Sequence, residues 1–328
     1  MKSEAKFTKT QRCGVTFLDT LAAFFITALI VSLLLPAIQA ARESSRRLTC
    51  LNNIRNLGIA SIASESATRF LPGPRFNAHP NSNQYLSDTG FFVSLLPYVE
   101  QNSLFASFDH NTTSTSIHNR QALLSSPGVL KCPSTRESMR LSSIAEYFSG
   151  PSSVNESIAC DYVGNSGCIV NGKPRFGAVK ISIGNQVRHH RLQNIVDGTS
   201  NTLLLWESRG DFIFSSDGSI GNADEKGLTR FQYILDHNPA NNLQSDTLAS
   251  YKSYILSWTG FRLGTIFQSE SAFLNQSNYI GQPCTSHSSL LPCGFVDGSS
   301  RIIDLHIDRV VLASLASIDG GEHSVPEQ

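Results

Sequence analysis

The pattern of apolar and polar positions divides the chain at its start. From Thr20 to Ala41 no charged residue interrupts a run that includes Leu21, Phe24, Phe25, Ile26, Leu29, Ile30, Val31, Leu33, Leu34 and Leu35. A bilayer's hydrocarbon core is crossed by about 20 such residues in helical form, so the run predicts one membrane-spanning helix. Beyond it the pattern becomes amphipathic. Leu48, Leu51, Ile54, Leu57 and Ile62 recur at spacings of three and five, while Arg42, Arg46, Arg47 and Arg55 occupy other faces. Such a helix buries one side against a domain. Phe70-Leu71-Pro72-Gly73-Pro74 then ends it, because prolines and glycine cannot continue the hydrogen-bond ladder.

Short elements follow. Phe91 to Gln101, with Leu104, Phe105 and Phe108, reads as one or two short helices with aromatic residues turned inward, and Asn119 to Leu124 as another. Asn77 to Asn83 and Asn111 to Ser116 read as loops, and Val129 to Ser134 as a short strand closed by a turn. Strands are predicted at Cys160 to Val163, Phe176 to Ile183, Thr202 to Trp206, Phe212 to Phe214, Ser253 to Trp258, Gly294 to Val296 and Arg301 to Leu305. Asp217 to Ser250 is broken by Gly, Pro and Asn and reads as an exposed loop. The expected class is α+β: a long N-terminal transmembrane and amphipathic helix packed on a mainly antiparallel β head domain. Its expected divisions are a leader at 1–14, a membrane helix at 15–36, an amphipathic continuation at 37–69 and a head at 70–328.

Charge refines the picture. Net charge is zero over 328 residues, yet within the leader at 1–14 Lys2, Lys6, Lys9 and Arg12 stand against only Glu4. Basic residues flanking a first hydrophobic segment stay on the cytoplasmic side. The expectation is a single-pass protein of the cytoplasmic membrane, N-terminus inside and head domain outside, in contact with membrane lipid. No basic patch remains to engage nucleic acid.

The outside of a bacterial membrane is oxidising, which bears on the seven cysteines. Cys13 falls in the leader, leaving Cys50, Cys132, Cys160, Cys168, Cys284 and Cys293. Of the fifteen ways to pair six cysteines, spacing favours local loops Cys160–Cys168 and Cys284–Cys293 with a long-range Cys50–Cys132 staple. No Cys-x-x-Cys or His-x-x-x-His spacing suggests a metal site, and neither metal nor cofactor is expected.

A secretory signal places its small residues after the apolar core, whereas here Gly14 precedes it. The basic leader, Gly14, Val15-Thr16-Phe17-Leu18 and the carboxylate Asp19 resemble the start of type IV pilins and pseudopilins. In that family a prepilin peptidase cuts after the glycine and methylates the new terminus, so the resemblance implies that Val15 becomes the first residue. It also implies that Asp19 serves subunit assembly by pairing with a terminal amine, as expected for an ionised group in hydrocarbon, and that Pro36 kinks the helix. Most members have Phe or Met after the glycine and Glu where Asp19 stands.

Further phrases resemble a large bacterial family of pilin-like proteins that carry a histidine, nine residues and Asp-Gly near the carboxyl end. Here these are His287 and Asp297-Gly298. Pro36 to Glu43, Cys50-Leu51-Asn52-Asn53, Leu96 to Gln101, Cys132-Pro133-Ser134 and Asp197-Gly198-Thr199-Ser200-Asn201-Thr202 also match. Members usually have paired glycines soon after the histidine, where this chain has Ser288-Ser289.

His287 and Asp297 resemble a base and its orienter, but no nucleophile joins them. Asp-Gly between strands is a hairpin turn, and Gly294 to Ile303 reads as that hairpin. The Asp197 to Thr202 stretch lacks the alternating carboxylates of a calcium loop and reads as a turn into a strand. His189-His190 reads as surface. No catalytic residue is expected. The resulting expectation is a structural pilin-like or pseudopilin-like subunit in a pilus or type II secretion-like assembly, with prepilin peptidase and other subunits or copies of itself as partners. The alternative is a membrane-tethered module that binds a glycan or an envelope protein without polymerising.

Overall fold

The structure is a computed structural model that describes residues 16–78, 85–112, 117–125, 127–135, 160–170, 173–179, 182–183, 190–208, 212–214, 220–222, 263–267 and 283–319. Two units are distinguished, residues 1–45 and 46–328. Gly14 and Val15, and the strand expected at Ser253 to Trp258, lie outside the described residues.

Helix α1 runs from Phe17 to Thr68 and continues through Pro36. Its start is a capping box. Thr16 Oγ1 accepts from the Asp19 N–H at 3.3 Å, and the Asp19 carboxylate accepts from the Thr16 N–H at 2.9 Å and its hydroxyl at 2.6 Å. Within the first unit the apolar side chains from Phe17 to Leu35 are all exposed. This is the described helix that is long and apolar enough to cross a membrane. The helix ends at Arg69, whose φ of 66° is a left-handed cap, and whose N–H bonds the Glu65 carbonyl.

The second unit is built on a sheet. Strands β1 (Arg75–Ala78) and β2 (Tyr85–Thr89) form an antiparallel pair that β5 (Ser182–Ile183) joins in parallel. The larger sheet places five antiparallel strands in the order β11 (Ser300–Asp304), β10 (Leu290–Phe295), β6 (Leu203–Glu207), β3 (Tyr162–Val170) and β4 (Lys173–Phe176). Strand β9 (Leu263–Phe267) runs parallel to β3. Strands β7 (Phe212–Phe214) and β8 (Ile220–Asn222) form a separate ribbon, and β8 falls inside the stretch expected to be loop.

Two cores flank the sheet. On one side Ile54, Leu57 and Ala60 of α1 pack with Leu71, with Phe91, Phe92, Val93 and Leu95 of helix α2 (Phe91–Leu95), and with Tyr162 and Leu204. On the other, Val163, Leu203, Trp206, Leu291 and Cys293 pack with Leu312, Ala313 and Ala316 of the last helix. The strand Leu203-Leu204-Leu205-Trp206 is buried throughout. Its unbroken apolar run is that of a strand covered on both faces. The expected class, α+β, holds, with short helices α3 (Asn102–Ala106) and α4 (Arg120–Leu123) near their predicted places.

Three expectations need correction, and one helix is added. Val129 to Ser134 is not a strand: Pro127 accepts from the Leu130 N–H, and a 3₁₀ turn occupies Gly128–Leu130. The strand expected over Phe176 to Ile183 is broken after Phe176, because Gly177 passes so close to the backbone of Gly167 that a side chain would collide with it. Helix α5, Arg309–Ala316, is not anticipated, although Asp308 caps it by accepting from the Val310 N–H at 2.7 Å. His190 is buried rather than on the surface, and its carbonyl accepts from the Leu71 N–H.

The cysteines split likewise. Cys50 and Cys132 form a disulfide across 82 residues of sequence. In the chain-entropy picture, a loop of that length is worth roughly 4–5 kcal/mol. Cys160, Cys168, Cys284 and Cys293 are buried and form no disulfide, so the two local loops are not made. The stretch of β3 from Tyr162 to Cys168 alone spans roughly 20 Å, far beyond the ~7 Å Cα limit for a bridge. Cys284 bridges Ser208 while Cys293 pairs with Trp206, so each is already seated beside its own residue at the β6 strand.

Candidate functional site

The phrases singled out in the sequence converge on α1. At Cys50 the helix is tied to Cys132, and one turn later Asn53 Nδ2 donates to the Lys131 carbonyl at 3.0 Å. The Cys132 N–H donates to Asp161 Oδ2 at 2.8 Å. His287 Nε2 lies 3.3 Å from Cys132 Sγ and 3.8 Å from Glu207 Oε2.

Glu207 is a wholly buried carboxylate. Burial of a charge is costly unless hydrogen bonds replace its water, and here they do: Thr285 Oγ1 donates to Oε2 at 2.8 Å and the Ser286 N–H to Oε1 at 3.1 Å. Thr285 Oγ1 also accepts from the His287 N–H at 3.1 Å. The three residues Thr285-Ser286-His287 thus wrap Glu207 and carry the imidazole onto the disulfide. Burial pushes the Tyr162 hydroxyl well above the usual tyrosine range and the Cys293 thiol well above its own, and the Glu207 charge adds to both.

The other end of the motif bears on the same helix two turns later. Asp297 and Gly298 form the β10–β11 hairpin turn, with Gly298 at φ 78° and the Asp297 carboxylate accepting from the Ser299 N–H at 2.9 Å. A Cβ on Gly58 of α1 would lie 3.3 Å from Gly298 Cα, and one on Gly298 would lie 2.8 Å from Ile62 Cδ1. The pair of glycines sets a close approach of turn to helix that side chains would forbid.

The Asp197 to Thr202 phrase joins them. Its turn, with Gly198 at φ 92°, leads into β6, and its Thr199 carbonyl accepts from the Asp297 N–H while the Thr202 carbonyl accepts from the Val296 N–H. Two Asp-Gly turns are therefore stacked, one of them against the helix. Ser288 has φ 59°, in the left-handed region that favours glycine.

His287 and Asp297 do not meet as a catalytic pair: the first is buried at the disulfide and the second is exposed and satisfied within its turn. Asp19 lies at the helix start, bonded to Thr16, and Pro36 lies inside the helix. The Thr16-x-x-Asp19 spacing is a capping signal legible in the sequence, and it gives Asp19 a local role besides the assembly role that the pilin resemblance implies. Among the described residues, Cys50, Cys132 and His287 form a group whose sulfur and nitrogen atoms all lie within 4.8 Å of one another. The sequence could not display this, since 155 positions separate Cys132 from His287.

A family model described as "Protein of unknown function (DUF1559)" matches residues 39–309. No curated protein and no solved structure matches the chain.

Proposed function

The chain belongs to the DUF1559 family, and from its exposed apolar helix and the basic leader with Gly14 ahead of it we propose that it is a pilin-like structural subunit, anchored in the membrane and cut after Gly14. The observation that carries this reading is the contrast along α1. Every large apolar side chain from Phe17 to Leu35 is exposed, whereas Cys50, Ile54, Leu57 and Ala60 farther along the same helix are buried. An apolar rod of this length needs lipid or neighbouring rods around it. Processing after Gly14 would leave Val15 next to Thr16, whose N–H already bonds Asp19, so the Asp19 carboxylate stands one residue from the new amine. In this reading the head is extracytoplasmic, and partners are the prepilin peptidase and other subunits or copies of the chain.

The test is the mass of the amino-terminal peptide of protein taken from native membranes. The expected peptide starts at Val15 with a methylated amine, and Gly14→Leu leaves the leader attached. An intact Met1, or a start beyond Ala40, overturns the proposal. Correctly cut protein that crosslinks to no neighbour through cysteines placed between Phe17 and Leu35 would favour the tethered, non-polymerising module.

A further inference from the structure

We propose that Cys50, Cys132 and His287 hold a tetrahedral, thiophilic divalent ion of the Zn²⁺ class whenever the Cys50–Cys132 pair is in its dithiol form. Two thiolates and an imidazole are a donor set such ions select. Bonds of about 2.3 Å to sulfur and 2.0–2.1 Å to nitrogen at tetrahedral angles put the S and N donors about 3.5 Å apart. His287 Nε2 stands 3.3 Å from Cys132 Sγ, and both sulfurs and this nitrogen fall within 4.8 Å of one another. On reduction the sulfurs need only separate to about 3.8 Å, a side-chain rotation.

The surroundings suit the charge. All three donors are buried, and Glu207, 3.8 Å from the imidazole and held by Thr285 and Ser286, supplies a fixed negative neighbour. Its oxygen faces Nε2, the nitrogen that takes the ion, so it acts on the cation by charge and not by accepting the ring proton on Nδ1. Glu207 stands outside the three-atom cluster, which leaves the fourth position to water.

The exchange balances. A dithiol reductant delivers two electrons and two protons to the S–S bond, giving two thiols and its own disulfide. The incoming ion then displaces both thiol protons to solvent, and Nε2 binds through its lone pair with the ring proton on Nδ1. Oxidised, the two sulfurs are a covalent staple between two points of the fold; reduced, the chelate joins those two and His287.

The experiment uses the full chain in detergent, reduced without oxygen by a dithiol and freed of excess reagent, with thiols counted before and after. Cobalt(II) is the probe. The expected result is the strong visible absorption of tetrahedral cobalt with thiolate-to-metal charge transfer, saturating near one ion per chain, and no such bands in the oxidised chain. Cys132→Ser and His287→Ala should each lose the tetrahedral spectrum. Glu207→Gln, which removes the negative charge beside the ion, should weaken binding several-fold, and a chain with Cys160, Cys168, Cys284 and Cys293 all changed to Ser should keep it. Absent bands in the reduced chain, bands unchanged by Cys132→Ser, or a disulfide that cannot be reduced while the chain stays folded would each overturn the proposal.

Discussion

At Ser288 and Gly298 a single backbone angle decides what each residue can be. Both are left-handed, at φ 59° and 78°. A residue with a Cβ pays roughly 1–2 kcal/mol in that conformation, while glycine does not. Ser288→Gly is therefore expected to raise stability by about 0.5–1 kcal/mol, offset in part by the freedom it adds to the unfolded chain. Gly298→Ala is expected to lower it by about 1–3 kcal/mol, since the new Cβ also meets Ile62 of α1. Urea unfolding of the two variants beside the parent checks both signs, and opposite shifts of the midpoint are the expected outcome. The Asp-Gly pair was legible as a turn from its residue types. Its second duty, resting on Gly58, was not, because nothing local in a sequence says which turn faces which helix.

At the scale of elements, Asn165 joins three of them. It is fully buried in β3, and its Nδ2 donates to the Leu203 carbonyl of β6 at 2.6 Å and the Ala316 carbonyl of α5 at 2.9 Å, while Oδ1 accepts from the Gly167 N–H at 2.8 Å. Asn165→Leu strands three buried backbone groups, each costing ~1–3 kcal/mol, so a loss of about 3–5 kcal/mol is expected. Thermal unfolding followed by circular dichroism measures it; a loss below about 1 kcal/mol would remove this side chain from the account of how α5 is held. Helix α1 was readable end to end because a charge-free run, an amphipathic run and two prolines mark its parts. Helix α5 is too short for its apolar period to stand out, although Asp308 marks its cap. The break after Phe176 was unreadable, since it follows from the approach of Gly177 to Gly167 across a hairpin rather than from either residue alone.

For the whole molecule, the cysteines separate two pictures of the head. With four buried thiols and one disulfide, a Cys13→Ser chain should resist a maleimide while folded, because Cys293 in particular is kept protonated by burial near Glu207. Unfolded without reductant it should take up four labels, and two more after reduction. Mass spectrometry counts them; no label before reduction would restore the three-disulfide arrangement that spacing alone favours. Spacing erred because it treats nearness in sequence as nearness in space, which an extended strand such as β3 defeats. The same reasoning hid the grouping of Cys50, Cys132 and His287, drawn from α1, the turn after a 3₁₀ segment and the approach to β10.

The clasp on α1 is assembled from segments far apart in the sequence. Cys50 and Gly58 emerge first, and the residues that close on them, His287 and Gly298, lie far downstream. Until β10 arrives, β6 lacks one of its two antiparallel neighbours, and the helix face at Ile54 and Leu57 lacks part of its cover. Closure of this head must therefore wait until the chain has been made at least through Gly298. A nascent chain stalled short of residue 283 would present sticky, half-covered surface to any chaperone or protease in reach.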